Sequence, residues 1–195
     1  MKTALTFLIG LGLCISVWAE TTGPLKALQT PIDTILNILK DPLYGDNSQE
    51  NVQYNKIREI INEVFNFNLI AQRSVGRYWK GFTPDEKQMF TDVFSELLSR
   101  SYIQKIQGEF KNETVVYLEE QAISADKYLV QTKIIRGNGD IPVDYNLQLM
   151  NNSWKVYDIH VEGVSLVQNY RTQFNKILLQ ESPSQLIEKI KNKTQ

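Results

Sequence analysis

Apolar residues recur at helical spacing through the first half of the chain, at every second position through the middle, and at helical spacing again at the end. Thr30 reads as a helix N-cap, with Pro31 at the first helical position and Asp33 in the first turn. Ile32, Ile35, Leu36 and Leu39 then share one face, and Asp41-Pro-Leu-Tyr-Gly45 ends the helix. A second helix is expected over residues 48–64, with Ile57, Ile60, Ile61 and Val64 turned inward. Asn66 caps a third, which stops near Gly76. The longest helix has the clearest start: Thr83 at the N-cap, Pro84 next, and Glu86 completing a capping box. Met89, Phe90, Val93, Phe94, Leu97, Leu98, Tyr102, Ile103 and Ile106 form its apolar stripe, opposite Asp92, Glu96, Ser99 and Arg100.

Four strands are expected next, over residues 115–123, 128–136, 141–150 and 154–161, joined by short turns into an antiparallel meander. Ile141, Val143, Tyr145, Leu147 and Leu149 fall on one face of the third strand, and Pro142, Asp144, Asn146, Gln148 and Met150 on the other. An apolar face and a mostly wet one mean a sheet covered on a single side. The second strand alternates less cleanly and leaves its inner face open. Gly163 ends the sheet, a helix runs to Leu179, and Ser182-Pro183 opens a last short one reaching about Lys191. Helices, then strands, then helices, with no linker or repeat, predict one α+β domain: a four-stranded antiparallel sheet with helices on one side.

The N-terminus changes the picture of location. Lys2 is the first charge and Glu20 the next, Ala4 to Val17 is apolar, and Val17-Trp18-Ala19 offers small residues at the positions a signal peptidase reads. The expectation is a signal peptide, residues 1–19, cleaved after Ala19, and an exported domain over residues 20–195. The apolar run is short for a membrane span, which needs about 20 residues. Cleavage removes Cys14, the one cysteine, so the mature chain holds no disulfide, no thiol nucleophile and no Cys-ligated metal. The formal charge of −1, with 21 Lys and Arg against 22 Asp and Glu, carries no basic excess, which argues against nucleic acid as a partner.

The catalytic inventory is thin. His160 is the one histidine, and Asp158 two residues earlier would share its strand face. The pair could act as a general base with an orienting carboxylate, but a solvated or hydrogen-bonded His is the plainer reading. A single His rules out the familiar His-rich zinc motifs, and no metal or cofactor is expected. Asp85-Glu86 sits in a helix first turn, where it suits the dipole. Glu119-Glu120 points to opposite faces of a strand. Arg73, Arg77 and Lys80, interleaved with Tyr78 and Trp79, form a small basic-aromatic cluster that reads either as a contact for an anionic head group or as a solvated helix end.

Two blocks carry a resemblance. One is Ile141-Pro-Val-Asp-Tyr-Asn-Leu-Gln-Leu-Met150 followed by Trp154-Lys-Val-Tyr-Asp-Ile-His-Val-Glu-Gly-Val-Ser-Leu-Val-Gln-Asn-Tyr-Arg-Thr-Gln-Phe174. The other is Asn66-Phe-Asn-Leu-Ile-Ala-Gln-Arg-Ser-Val-Gly-Arg-Tyr-Trp-Lys80, then Thr83-Pro-Asp-Glu86 and the helix to Tyr102. In order and spacing they resemble the MlaC family of periplasmic phospholipid carriers, also called toluene-tolerance proteins. The resemblance implies a monomeric carrier without catalysis or cofactor. It implies an apolar cavity between sheet and helices, a phospholipid ligand with its head group outside, and two docking partners. Those partners are an outer-membrane lipoprotein complex and an inner-membrane ABC transporter with a substrate-binding ring protein. On the amphipathic patterns, Phe90, Phe94, Leu97 and Leu98 of the long helix and Val143, Tyr145, Leu147 and Leu149 of the sheet are the candidate acyl-chain contacts. Arg73, Arg77 and Lys80 are the head-group candidates. Two rival readings remain at this stage: a small enzyme acting on an apolar substrate through Asp158 and His160, and a periplasmic chaperone or adaptor.

Overall fold

The computed structural model describes residues 22–137 and 139–194. The expected signal segment, its cleavage site after Ala19, and Cys14 lie outside the described residues. The elements, in order, are α1 (Pro24–Lys40), α2 (Glu50–Val64), α3 (Phe67–Val75), α4 (Pro84–Glu109), β1 (Thr114–Ser124), β2 (Lys127–Ile135), β3 (Ile141–Met150), β4 (Ser153–Val161), β5 (Val164–Ser165), α5 (Leu166–Leu178) and α6 (Pro183–Thr194).

The strands form one antiparallel sheet in chain order, β1-β2-β3-β4-β5. The sheet therefore has five strands and not four. After the turn at Glu162 and Gly163, both at positive φ, Val164 and Ser165 turn back onto Val161 and His160 before α5 starts. Two residues carry too little alternation to be read as a strand.

Pairing settles the inner face that the alternation of β2 left open. Val130 lies opposite Tyr145, Thr132 opposite Val143 and Ile134 opposite Ile141. Residues directly opposite share a face, so Tyr128, Val130, Thr132 and Ile134 look inward with the apolar set of β3. Buried Thr132 satisfies its hydroxyl by donating to the Val143 carbonyl at 2.7 Å. A register shift between Tyr117 and Glu119 leaves Leu118 unopposed and puts Glu120 opposite Val130. From there the Glu120 carboxylate accepts the Leu25 N–H at 2.7 Å.

That bond explains where α1 begins. The helix starts at Pro24, and Thr30 and Pro31 lie inside it rather than at its start. A carboxylate from β1 sits at the first turn, where negative charge and the free N–H groups favour it. The Thr30 hydroxyl instead donates back to the Lys26 carbonyl. An interior proline normally costs about 3 kcal/mol, and here tertiary anchoring outweighs it. Farther along, the Tyr117 hydroxyl donates to Asp33 Oδ1 at 2.8 Å, tying α1 to β1 a second time.

The other helices follow their sequence signals. Asn66 caps α3 by accepting the Leu69 N–H, and Thr83 and Glu86 form the capping box of α4. The second carboxylate oxygen of Glu86 accepts from the Ser184 hydroxyl, joining the starts of α4 and α6, and these bonds hold its carboxyl below the usual range. One face differs from the expected pattern. Ser99 of α4, expected outside, is buried, while Met89 in the expected stripe is 44% exposed. Over its 26 residues α4 serves two neighbourhoods, so no single stripe describes it.

Apolar side chains gather in two clusters. The larger joins α3, α4, α5 and α6 around Phe82, Phe90, Phe94 and Phe174, with Trp79 and Tyr170 packed against it. Its rings meet edge-to-face or offset, with centroids 4.9–6.4 Å apart. The smaller, Leu28, Val130, Leu147 and Val156, lies between α1 and the sheet.

Candidate functional site: an apolar cavity

Between the two clusters α1, α2 and α4 stand off from the sheet and leave a cavity of about 400 Å³. Interiors normally close to crystal-like density, so an apolar opening of this size is a feature of the fold and not ordinary core. Leu28, Ile32, Ile35, Leu36 and Leu39 of α1 line one wall, with Ile60, Ile61 and Val64 of α2 beside them. Val115, Ile134, Ile141, Val143, Tyr145 and Ile159 form the sheet wall. Leu98, Ser99, Tyr102 and Ile106 of α4 complete it, and Phe65, Phe67 and Ile70 close the inner end.

Burial grades along the cavity. At the inner end Ile70, Leu98 and Ser99 are buried; two to three turns after Leu98 and Ser99, Lys105, Ile106 and Glu109 are exposed. Beside them Phe110, Glu113 and Arg136 complete the rim. From Ser99 to Glu109 the helix rises about 15 Å. The cavity is a blind slot with an apolar interior and a charged mouth.

Three polar side chains border the slot inside its rim: Tyr145, Ser99 and buried Asp158. Tyr145 lines the cavity, and desolvation pushes its phenol up to about 12. Ser99 Oγ is buried without a hydrogen-bond partner among the described residues. The Asp158 carboxylate is held by the Ile159 and Val167 N–H groups and the Ser165 hydroxyl.

The predicted residues separate into two sets. Leu98, Val143 and Tyr145 line the cavity, although Leu98 also belongs to the aromatic cluster and Tyr145 also packs against the cluster under α1. Phe90 and Phe94 belong to the closed aromatic cluster, with Leu97 packed against it. Leu147, 1% exposed, belongs to the cluster under α1, and Leu149 pairs with Trp154 beyond it. An apolar position on the right face is thus core or cavity wall according to which neighbour stands opposite. The cavity residues outside the expected set include those of α1 and α2, whose one-sided pattern is visible in the sequence, and Tyr102, Ile106, Val115, Ile134, Ile141 and Ile159.

The basic cluster also lies elsewhere. Arg73 stacks over Tyr157 at 4.9 Å, Arg77 over Tyr78 at 5.1 Å, and Lys80 is exposed; none of the three lines the cavity. The rim cations are Lys105 and Arg136.

Asp158 and His160 do not form a base pair. Asp158 is buried and accepts from the Ile159 N–H, the Ser165 hydroxyl at 2.6 Å and the Val167 N–H at 3.1 Å, so it anchors the start of α5. His160 Nε2 stands 3.9 Å from Asp158 Oδ2, beyond hydrogen-bond reach.

Comparison with known proteins gives consistent results. A family model described as "MlaC protein" matches residues 29–192. The "Intermembrane phospholipid transport system binding protein MlaC" of Haemophilus influenzae is 21% identical, with 96% of this chain and 90% of the relative covered. The "Toluene tolerance protein ttg2D" of Pseudomonas putida is 26% identical over 76% of this chain and 73% of the relative. A phospholipid-binding protein from Ralstonia solanacearum, solved in complex with a phospholipid, has the same fold. It superposes with a TM-score of 0.76 at 23% identity, covering 89% of this chain and 97% of the other.

Proposed function

Because the chain belongs to the MlaC family, we propose that it carries phospholipid through the periplasm as a soluble component of an Mla lipid transport system. The observation that carries this reading is the slot. One leaflet of a bilayer is about 15 Å of hydrocarbon, half of a core about 30 Å thick. The slot runs about as far from its buried end to its charged rim. A lipid lowered into it would exchange one leaflet's depth of apolar surroundings for another, and its head group would remain at the rim.

The energetics favour a container over a catalyst. Moving ~30 acyl methylenes out of water is worth on the order of 24 kcal/mol, which free diffusion across an aqueous gap cannot supply. A carrier that offers nearly the same apolar environment makes the transfer close to neutral. Direction then rests on small biases at the docking partners, an outer-membrane lipoprotein complex and an inner-membrane ABC transporter with its ring protein. The role requires no chemistry at Asp158 or His160, and the hydrogen bonds of Asp158 support an anchor for α5. A signal peptide ending at Ala19 fits export of a monomeric domain over residues 20–195. Among the described residues no helix is long and apolar enough to cross a membrane.

Native mass spectrometry of the protein released from cell envelopes without detergent tests this. The expected result is a discrete added mass that solvent extraction resolves as diacyl phospholipid. A bare protein that stays bare after incubation with phospholipid vesicles would overturn the reading.

A further inference from the structure

The cavity rim is charged in a particular way. Lys105 and Glu109 lie one turn apart on the exposed end of α4 and share a face. Glu113 precedes β1 and Arg136 follows β2, and since Thr114 pairs with Ile135, these two flank the same end of the ladder. Two cations and two carboxylates thus ring the mouth of an apolar slot.

No ion pair among the described residues joins any of the four to another. Lys before Glu at this spacing is the weaker helix orientation, and both side chains are exposed. Arg136 is held by its Nε–H, which donates to the Gly139 carbonyl at 2.9 Å and leaves the forked Nη groups available. Glu113 accepts the Lys111 N–H with one oxygen, at 2.5 Å, and keeps the other.

We propose that Lys105, Arg136, Glu109 and Glu113 form a head-group site that prefers a zwitterionic phospholipid with an ammonium beyond its phosphate over a purely anionic one. The phosphate is drawn to Lys105 and Arg136, and the ammonium reaches Glu109 and Glu113. A head group without an ammonium satisfies the cations but leaves two carboxylates facing net negative charge. This rests on the carrier reading, since the rim meets a head group only when acyl chains fill the slot. Exposed charge pairs contribute little each, so the preference is about twofold to fivefold.

The test is competition. The protein is incubated with vesicles of equimolar phosphatidylethanolamine and phosphatidylglycerol with matched chains, and the bound lipid is resolved by native mass spectrometry. The ratio of the two bound lipids is the readout. The unaltered protein should favour phosphatidylethanolamine. Glu109→Gln with Glu113→Gln should move the ratio toward phosphatidylglycerol, and Lys105→Gln with Arg136→Gln should move it the other way. Glu109→Gln alone, at an exposed position, should give a smaller shift of the first sign. Bound lipid whose ratio is the same in all variants would overturn the site and leave the carrier reading intact. No bound lipid even in the unaltered protein would overturn both.

Discussion

Tyr145 shows how one residue registers the cavity. It borders the apolar cavity, and burial pushes its phenol up to about 12 because the phenolate would be poorly solvated there. An acid whose folded value is raised favours the folded state in its protonated form. That contribution is complete below the unfolded value near 10 and is lost as pH rises toward 12. Unfolding in urea at stepped pH should show stability falling across this window, by roughly 2–3 kcal/mol for this group. Tyr145→Phe should flatten the fall, and an unchanged slope would contradict the assignment. Gly76 is a second residue whose conformation favours its identity. It ends α3 at φ 56° and ψ −120°, and a Cβ there would lie 2.7 Å from Arg171 Nη2. Gly76→Ala should cost about 1–3 kcal/mol, read as a lower urea midpoint with unchanged slope.

At the scale of elements, α1 and α4 carry the functional contrast. Helix α4 is divided along its length: Phe90 and Phe94 lock into the aromatic cluster, while Leu98 to Glu109 form one side of the slot. Substitutions in the two neighbourhoods should behave differently. Phe174→Ala, in the aromatic cluster, should cost about 3–5 kcal/mol of stability. Leu36→Asp, on the cavity wall of α1, should reduce bound lipid, and native mass spectrometry beside urea unfolding separates the two effects. Helix α1 is held to the sheet by a few polar ties, Leu25 to Glu120 and Asp33 to Tyr117, and otherwise by the apolar residues that border the slot. It is therefore the element placed to shift when the slot fills. Hydrogen exchange should slow on lipid loading in α1 and α2 more than in the aromatic half of α4. Equal protection in the filled and delipidated protein would argue against such movement.

At the scale of the molecule, the fold places a blind slot between two closed clusters. The aromatic cluster and the cluster under α1 carry the packing, and the region between them is left open for a guest. Stability and ligand are then linked. A lipid that binds only the folded state raises stability by RT ln(1 + [L]/Kd). Delipidated protein should melt at a lower temperature than lipid-loaded protein and recover with added vesicles in a concentration-dependent way. A melting temperature indifferent to lipid would be incompatible with an enclosed guest.

By itself the sequence determined the local structure: the caps at Asn66 and Thr83, the inner face of β3, the meander and the α+β order, because these depend on neighbours a few residues away. Its two blocks also carried the family resemblance. Tertiary structure decided the rest. Glu120, reaching across from β1, moved the start of α1 to Pro24, and the Val164–Ser165 pairing became a fifth strand only when β4 lay beside it. Above all, periodicity marks which residues leave water but not what they meet. Phe90 and Leu98 lie on the same helix and in the same buried cluster, yet only Leu98 also borders the slot. The difference lies in the spacing between elements, which no run of residues along one element encodes.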